Sequence, residues 1–280
     1  MTKKEVLSLF KELRKIFDIV RLVDSTINIE YSFNDNGEIL AEPYKCYSVW
    51  NKRSRCENCV SAKAFIKKSK LTKFEFIGNE AYFVVAMYIE VEECPYILEM
   101  VSKVSDETLF GAYGRDKFMQ TISEHNRKMY IDSLTGAYNR LYYEEQIIGL
   151  HNISAVAMAD VDDFKEINDK FGHMAGDAAL KEIVRVMFEN IDESDSVVRY
   201  GGDEFIIVFK GKKVKDINEK LEKIRSNIYN ISIKGYPELR LSVSIGCVCS
   251  NNITIDQIDE VDKMLYKAKK IKNAVLLKKD

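Results

Sequence analysis

Asp203 and Glu204 stand side by side in Arg199-Tyr200-Gly201-Gly202-Asp203-Glu204-Phe205, with Val197-Val198 in front and the apolar run Ile206 to Phe209 behind. Adjacent carboxylates beside residues without side chains let a hard divalent cation and a bulky polyphosphate approach the backbone closely. The flanking β-branched and aromatic runs predict a hairpin whose tight turn is carried by glycines that tolerate positive φ. A second acidic run, Asp160-Val161-Asp162-Asp163, follows the short apolar stretch Ala155 to Met158. A carboxylate at a strand end can face a metal without being buried unpaired, so Asp160 is expected beside Asp203 and Glu204. Three such groups make an all-oxygen site suited to Mg2+ or Mn2+, ions that bind phosphate oxygens. For an isolated Gly-Gly-Asp-Glu the plain alternative is a solvated hairpin with a charged tip.

A second set of chemistry-bearing residues lies early in the chain. Cys56-Glu57-Asn58-Cys59 is a C-x-x-C pair, Cys46 precedes it and Cys94 follows. Thiolates at this spacing point to a zinc or iron-sulfur site, or to redox chemistry; buried small hydrophobes are the alternative. Cys247 and Cys249 alternate within a β-patterned run, which puts both on one strand face and favours core packing.

The elements that must position these residues fall into two blocks. Val6, Leu9, Phe10, Leu13 and Phe17 recur at helical spacing, so an amphipathic helix is predicted over about Thr2 to Phe17, capped by Thr2. Strands follow at Ile19 to Val23 and Ile27 to Phe33, then a turn at 34–37 and a polar, cysteine-bearing loop from Pro43 to Asn51. A short helix spans about Cys59 to Lys68, and strands at Leu71 to Ile77, Ala81 to Val91 and Tyr96 to Val104 close an antiparallel sheet. Trp50, the lone tryptophan, is expected as a core or interface anchor. From Arg115 to Tyr130, Phe118, Ile122 and Met129 form a stripe near heptad spacing, with His125 in the intervening slot, as in a linker helix that pairs with a second copy. The expected division is 1–112, a sensor-type domain; 113–131, the linker helix; and 132–280, the domain with the acidic site.

Composition narrows the classes. The chain has 280 residues, 46% hydrophobic and 31% charged, with a formal net charge of -2. That is ordinary for a globular protein and gives no bulk attraction to nucleic acid or membrane. The apolar runs are too short to span a bilayer, and the start reads as an amphipathic helix and not as a signal peptide, so a cytoplasmic protein without nucleic-acid or membrane partners is expected.

Beyond residue 131 six ordered motifs carry a family resemblance. They are Asp132-Ser133-Leu134-Thr135-Gly136-Ala137-Tyr138-Asn139-Arg140; Asp160-Val161-Asp162-Asp163-Phe164-Lys165-Glu166-Ile167-Asn168-Asp169; Phe171-Gly172-His173-Met174-Ala175-Gly176-Asp177; Arg199 to Phe205; Ser244-Ile245-Gly246; and Val261-Asp262-Lys263-Met264-Leu265-Tyr266-Lys267-Ala268-Lys269. Together they resemble the GGDEF domains, the diguanylate cyclases. The resemblance implies an α+β fold, a ferredoxin-like, nucleotidyl cyclase-like sheet with flanking helices. It also implies condensation of two GTP into cyclic di-GMP and two pyrophosphates by a homodimer in which each chain holds one GTP. Implied metal ligands are Asp160, Asp203, Glu204 and the carbonyl of Val161, with Asp203 and Glu204 as catalytic carboxylates. Implied substrate contacts are Gly201, Gly202, Lys165 and Lys269 towards the triphosphate, and Asn168 and Asp177 towards guanine. Asp177 could accept from the N1-H and exocyclic N2-H of guanine, a pattern adenine lacks. A silent GGDEF module that binds GTP or a protein partner is the alternative.

The first block resembles, by element order and by Cys46-Tyr47-Ser48-Val49-Trp50 with Cys56-x-x-Cys59, a PAS-like sensor domain. Its ligand is not readable from the residues. Two departures stand out in the second block. The R-x-x-D that builds a product-binding site is replaced by Asp192-Glu193-Ser194-Asp195, and an aspartate repels phosphate. The usual A-K-x-x-G-R-N becomes Ala268-Lys269-Lys270-Ile271-Lys272-Asn273, where Lys272 is expected to substitute as a point charge on the triphosphate.

Overall fold

The computed structural model describes residues 1–280 except 35, 54, 57, 106–109, 111–113, 148–152, 251–256 and 280. The chain divides into two compact units, Met1–Arg127 and Lys128–Asp280. The expected boundary at 112/113 lies outside the described residues.

In the first unit, helix α1 (Lys3–Leu13) starts at a capping box: the Thr2 hydroxyl accepts from the Glu5 amide while the Glu5 carboxylate accepts from the Thr2 amide. Strands β1 (Ile19–Asp24), β2 (Ile29–Phe33) and β3 (Ile39–Lys45) follow, then a short 3-10 turn (Cys46–Trp50) and α2 (Val60–Ile66). Strands β4 (Lys70–Ile77), β5 (Glu80–Val91) and β6 (Cys94–Lys103) complete a fully antiparallel sheet of order β3-β2-β1-β6-β5-β4. The sheet thus has three strands before the helical insert, where the sequence predicts two. Strand β3 is an edge strand, mostly exposed and carrying Pro43, so it lacks the apolar alternation that marks a half-buried strand. Both faces are covered. One packs Val6 and Phe10 of α1 against Val20, Leu22, Leu98 and Met100; the other packs Trp50 and the α2 residues Val60 and Ala64 against Val84, Ile97 and Val101.

Arg21 on β1 is buried and ion-paired to Glu30 at 2.7 Å and to Glu99, and it donates to the Cys46 carbonyl at 2.8 Å. Glu99 also accepts from Ser61 of α2 at 2.6 Å, so one network ties β1, β2, β6 and α2 together. Trp50 is a core anchor as expected, edge-on to Tyr82 at 6.0 Å with the Arg21 guanidinium 5.7 Å from its ring.

Helix α3 (Gly114–Tyr130) runs to the end of this unit and into the next. Phe118 of the expected pairing stripe packs edge-on against Phe74 at 5.2 Å and against Phe110, which gives it a partner within its own unit.

In the second unit β7 (Tyr138–Asn139), α4 (Arg140–Tyr142) and a π-type turn (Tyr143–Ile147) lead to β8 (Ile153–Val161), α5 (Phe164–Phe171) and α6 (His173–Glu189). Then come β9 (Ser196–Arg199), β10 (Glu204–Lys210), α7 (Val214–Tyr229), β11 (Val243–Cys249), α8 (Gln257–Ile271) and β12 (Val275–Lys279). The sheet order is β12-β11-β8-β10-β9-β7, antiparallel through its centre and parallel at both outer pairs. On one face Ala155, Ala157 and Ala159 of β8 lie opposite Phe209, Ile207 and Phe205, small against large, beneath α5, α6 and α7. Cys247 and Cys249 point into this core, as expected. The other face packs Val156, Met158 and Ile206 against Val261 and Leu265 of α8. The architecture is α+β in both units, and among the described residues no helix is long and apolar enough to cross a membrane.

The network around Arg21 yields a stability prediction. Arg21→Met leaves the buried Glu99 and the half-buried Glu30 without their cation and is expected to destabilise the first unit by about 3–5 kcal/mol, read by urea unfolding. A loss below about 1 kcal/mol would show that solvent reaches these carboxylates.

Candidate active site

The strand pairing assembles the acidic site. Asp160, the penultimate residue of β8, lies directly opposite Glu204, the first residue of β10, so both carboxylates emerge at one end of the sheet. Asp203 precedes Glu204 in the turn, and its carbonyl accepts from the Val161 amide at 3.3 Å. Asp160 is only 5% exposed. Burial, with the repulsion of Asp203 and Glu204 added, outweighs the neighbouring Lys269 ammonium and pushes its carboxyl up to about 6.

Lys269 sits 2.5 Å from Asp160 Oδ2. It reaches there because Gly246 on β11 has no side chain: a Cβ on Gly246 would lie 2.0 Å from the Leu265 backbone nitrogen. Helix α8 therefore rests its backbone directly on the strand, and Lys269, one turn beyond Leu265, projects over Asp160. A cavity of about 450 Å3 opens beside this pair, lined by Glu204, Asp262, Leu265, Tyr266 and Lys269 among others. That volume lies within the range of small-molecule sites.

The turn corrects one expectation. Neither Gly201 nor Gly202 has positive φ. A Cβ on Gly201 would come 2.7 Å from Glu204 Oε2 and displace that carboxylate from its present position, while Gly202 leaves its surroundings open. Arg199 closes the turn from below, donating to the Gly202 carbonyl at 2.8 Å and to Asp132 Oδ1 at 3.1 Å. Asp132 also accepts from the Thr135 amide at 2.9 Å and hydroxyl at 2.7 Å. Burial works against ionisation there, but Thr135 and Arg199 hold the Asp132 carboxyl below its ordinary range. Sequence reasoning did not single out this Arg199–Asp132 link, although both residues lie inside motifs it quoted.

Asp162 was missed as well. It is buried, accepts from Ser242 Oγ at 2.7 Å, Ser244 Oγ at 2.6 Å and the Asn273 amide at 2.9 Å, and so locks the end of β8 to β11 and to the chain leaving α8. The alternation Asp160, Asp162 at a strand end with Ser242, Ser244 on another was the available signal.

The remaining expected residues form a second group. Lys165 is exposed in the first turn of α5, and Asn168 sits one turn further on. A Cβ on Gly176 would meet Asn168 Oδ1 at 2.1 Å, so the missing side chain in α6 makes room for the Asn168 amide, and Asp177 follows immediately. Lys272 pairs through both oxygens of Asp163 at 2.7 Å. Lys272 and Asn273 turn with φ of 60° and 43°, a conformation glycine adopts freely and these residues adopt at a cost. Asp192, in place of the arginine, pairs with Lys212 and with Lys220 at 2.8 Å, which hold its carboxyl down to about 2.

Among the described residues no group of three or more His, Cys, Asp or Glu side chains is placed to hold a metal ion. At the acidic end the Lys269 ammonium lies against Asp160, where a metal ion would meet that carboxylate. An all-oxygen donor set fits Mg2+ or Mn2+ once that ammonium withdraws. Cys46, Cys56 and Cys59 are buried around one small cavity with Arg21 and Lys73, while Cys94 is exposed on the β5–β6 hairpin and does not join them. Burial pushes the Cys46 and Cys56 thiols up.

An antiparallel core flanked by helices, with paired carboxylates and a lysine at its strand ends, defines an α+β domain with an acidic site at one end of its sheet. The family model described as "Diguanylate cyclase, GGDEF domain" matches residues 129–274, and the chain belongs to the GGDEF family. It is 33% identical over 165 residues to the diguanylate cyclase DosC of Escherichia coli, covering 55% of this chain and 35% of that protein. It is 29% identical over 163 residues to the probable diguanylate cyclase DgcC of the same species, covering 53% and 44%. The chain thus spans less than half the length of either relative. The coiled coil and GGDEF domain of DgcB from Caulobacter crescentus, solved with c-di-GMP, shares the fold at a TM-score of 0.54 and 22% identity, over 58% of this chain and 93% of that one.

Two predictions follow from the geometry. Gly246→Ala forces α8 off β11 and is expected to cost about 2 kcal/mol or more, with loss of the Lys269–Asp160 contact; thermal unfolding and the Lys269 Nζ resonance test it, and an unchanged melting temperature would contradict the packing. Asp132 has a folded pKa below its ordinary value of 3.8. Its stabilisation is therefore present above that value and lost as pH falls through the lower folded one. Asp132→Asn should lower stability at neutral pH by about 1 kcal/mol and flatten the acid limb below pH 4, measured by denaturant titration at stepped pH.

Proposed function

We propose that the chain is a diguanylate cyclase that condenses two GTP into cyclic di-GMP and two pyrophosphates, working as a homodimer under the control of its first unit, a PAS-like sensor. The carrying observation is the Asp160–Glu204 pair at adjoining strand ends with Lys269 above it. GGDEF family membership supports the same reading.

Each GTP lies with its triphosphate at the turn of Gly201 and Gly202, where Gly201 leaves room for the Glu204 side chain. Asp160, Asp203, Glu204 and the Val161 carbonyl would hold Mg2+ or Mn2+, which supplies charge neutralisation and a lowered pKa for the attacking hydroxyl. Lys269 leaves Asp160 for the phosphates, and Lys165 and Lys272 add positive charge from the α5 and α8 ends. Asn168 and Asp177 take the guanine edge; adenine there leaves the Asp177 carboxylate unpaired, at a cost of roughly 1–3 kcal/mol. The 3'-hydroxyl of each GTP attacks the α-phosphorus of the other, Glu204 or a water takes the proton, and pyrophosphate leaves from each. One chain carries one such turn, so the ring closes only between two copies. Asp192 stands where an arginine would grip product and repels phosphate, so tight product inhibition at that edge is not expected.

The test is incubation of the purified chain with GTP and Mg2+, resolving products by chromatography. Cyclic di-GMP is expected, with Glu204→Gln reducing turnover about 100-fold or more and Asp177→Asn eroding the preference for GTP over ATP about ten-fold or more. GTP binding without turnover, with the dimer enforced, would replace this reading with the silent module.

A further inference from the structure

The first unit contains a charged cavity that nothing above employs. It has a volume of about 300 Å3 and lies between the segment before α2, strand β4 and the last turns of α3, with Lys52, Arg55, Lys73, Glu75, Phe74 and Asn126 on its walls. Three of those side chains are cations and one is an anion. Lys52 at 2.8 Å and Lys73 share Glu75, and Lys73 also donates to the Asn58 carbonyl at 3.0 Å. Arg55 has no such counterpart: its Nε–H is buried with no hydrogen-bond partner. Buried donors in folded proteins are nearly always paired, so an orphaned guanidinium nitrogen on a cavity wall marks a place for an acceptor.

We propose that this cavity binds a small organic dicarboxylate, with Arg55 as its anchor. The excess of two positive charges matches a dianion. A guanidinium presents its N–H groups in a planar fork that suits a carboxylate. Phe74 and the neighbouring Phe76 and Cys56 give the cavity an apolar side, and the space exceeds what an inorganic ion fills, so the occupant carries a carbon skeleton. The α3 wall belongs to the same site, because Asn58 donates to Asn126 Oδ1 at 2.9 Å and Phe118 anchors the helix on Phe74. A bound dicarboxylate would therefore touch both the sheet and the helix that leaves it. This inference does not depend on the cyclase reading.

The full chain is titrated at fixed ionic strength with succinate, 2-oxoglutarate and phthalate, and with succinamide and inorganic phosphate as comparisons, by calorimetry and thermal unfolding. Saturable binding of at least one dicarboxylate, absent for succinamide, is expected. Arg55→Gln should weaken it about ten-fold or more, while Arg53→Gln, an exposed neighbour in the same segment, leaves it unchanged. Amide exchange across residues 123–126 should slow on binding. Three results overturn the proposal: no dicarboxylate binds, phosphate binds in their place, or the response is equal in Arg55→Gln and the unaltered chain.

Discussion

Two carboxylates placed opposite each other on neighbouring antiparallel strands repel, and a cation between them, or a proton held on one of them, relieves the repulsion. The pairing of Asp160 with Glu204 imposes that condition on the second unit. Burial of Asp160 sharpens it, because a desolvated carboxylate meets less screening than one in water. Lys269 meets the condition as the chain stands. The features that look incidental in the sequence then fall into place: Gly246 lets α8 come close enough to deliver the lysine, and Asp162, gripped by Ser242, Ser244 and Asn273, fixes the strand end from which Asp160 projects.

A site built on strand ends is more rigid than one built on loops, and here even the turn is braced. Arg199 spans from the Gly202 carbonyl to Asp132, so the stretch that opens the domain and the turn that gives it its acidic tip are held by one side chain. Removing conformational freedom from the turn before a polyphosphate arrives lowers the ordering that binding must supply. The Lys272–Asp163 pair does the same at the far side of the β8 end, where two consecutive residues accept left-handed backbone to turn the chain.

The acidic end was legible because its signal is local: a carboxylate after an apolar run, and two more between strand patterns, define strand ends without knowledge of the rest of the fold. Burial on both faces of the second sheet also made Cys247 and Cys249 readable as core. What failed was of two kinds. Strand β3 escaped because an exposed edge strand with a proline has no alternation to read. The roles of Gly201, Gly176 and Gly246 escaped because a glycine in sequence announces conformational freedom, whereas each of these supplies space for a partner distant in sequence or one turn away. Cys94 illustrates the same difficulty in reverse. Its spacing joined it to the other cysteines, but the β5–β6 register sends it to an exposed hairpin end.

The two units solve their charge problems differently, and the contrast bears on what each can do. In the second unit the unbalanced charge is negative and a lysine from within the fold stands in for the missing cation. In the first, Arg21 is ion-paired to both Glu30 and Glu99, and Lys52 and Lys73 share the single carboxylate of Glu75, so each of those cations has a protein partner. Arg55 breaks that pattern: its buried Nε is left with no acceptor beside a cavity that, among the described residues, is lined by no carboxylate other than Glu75. An anion bound at Arg55 stabilises the fold that binds it, and binding there is coupled to the packing of α3 through Asn126.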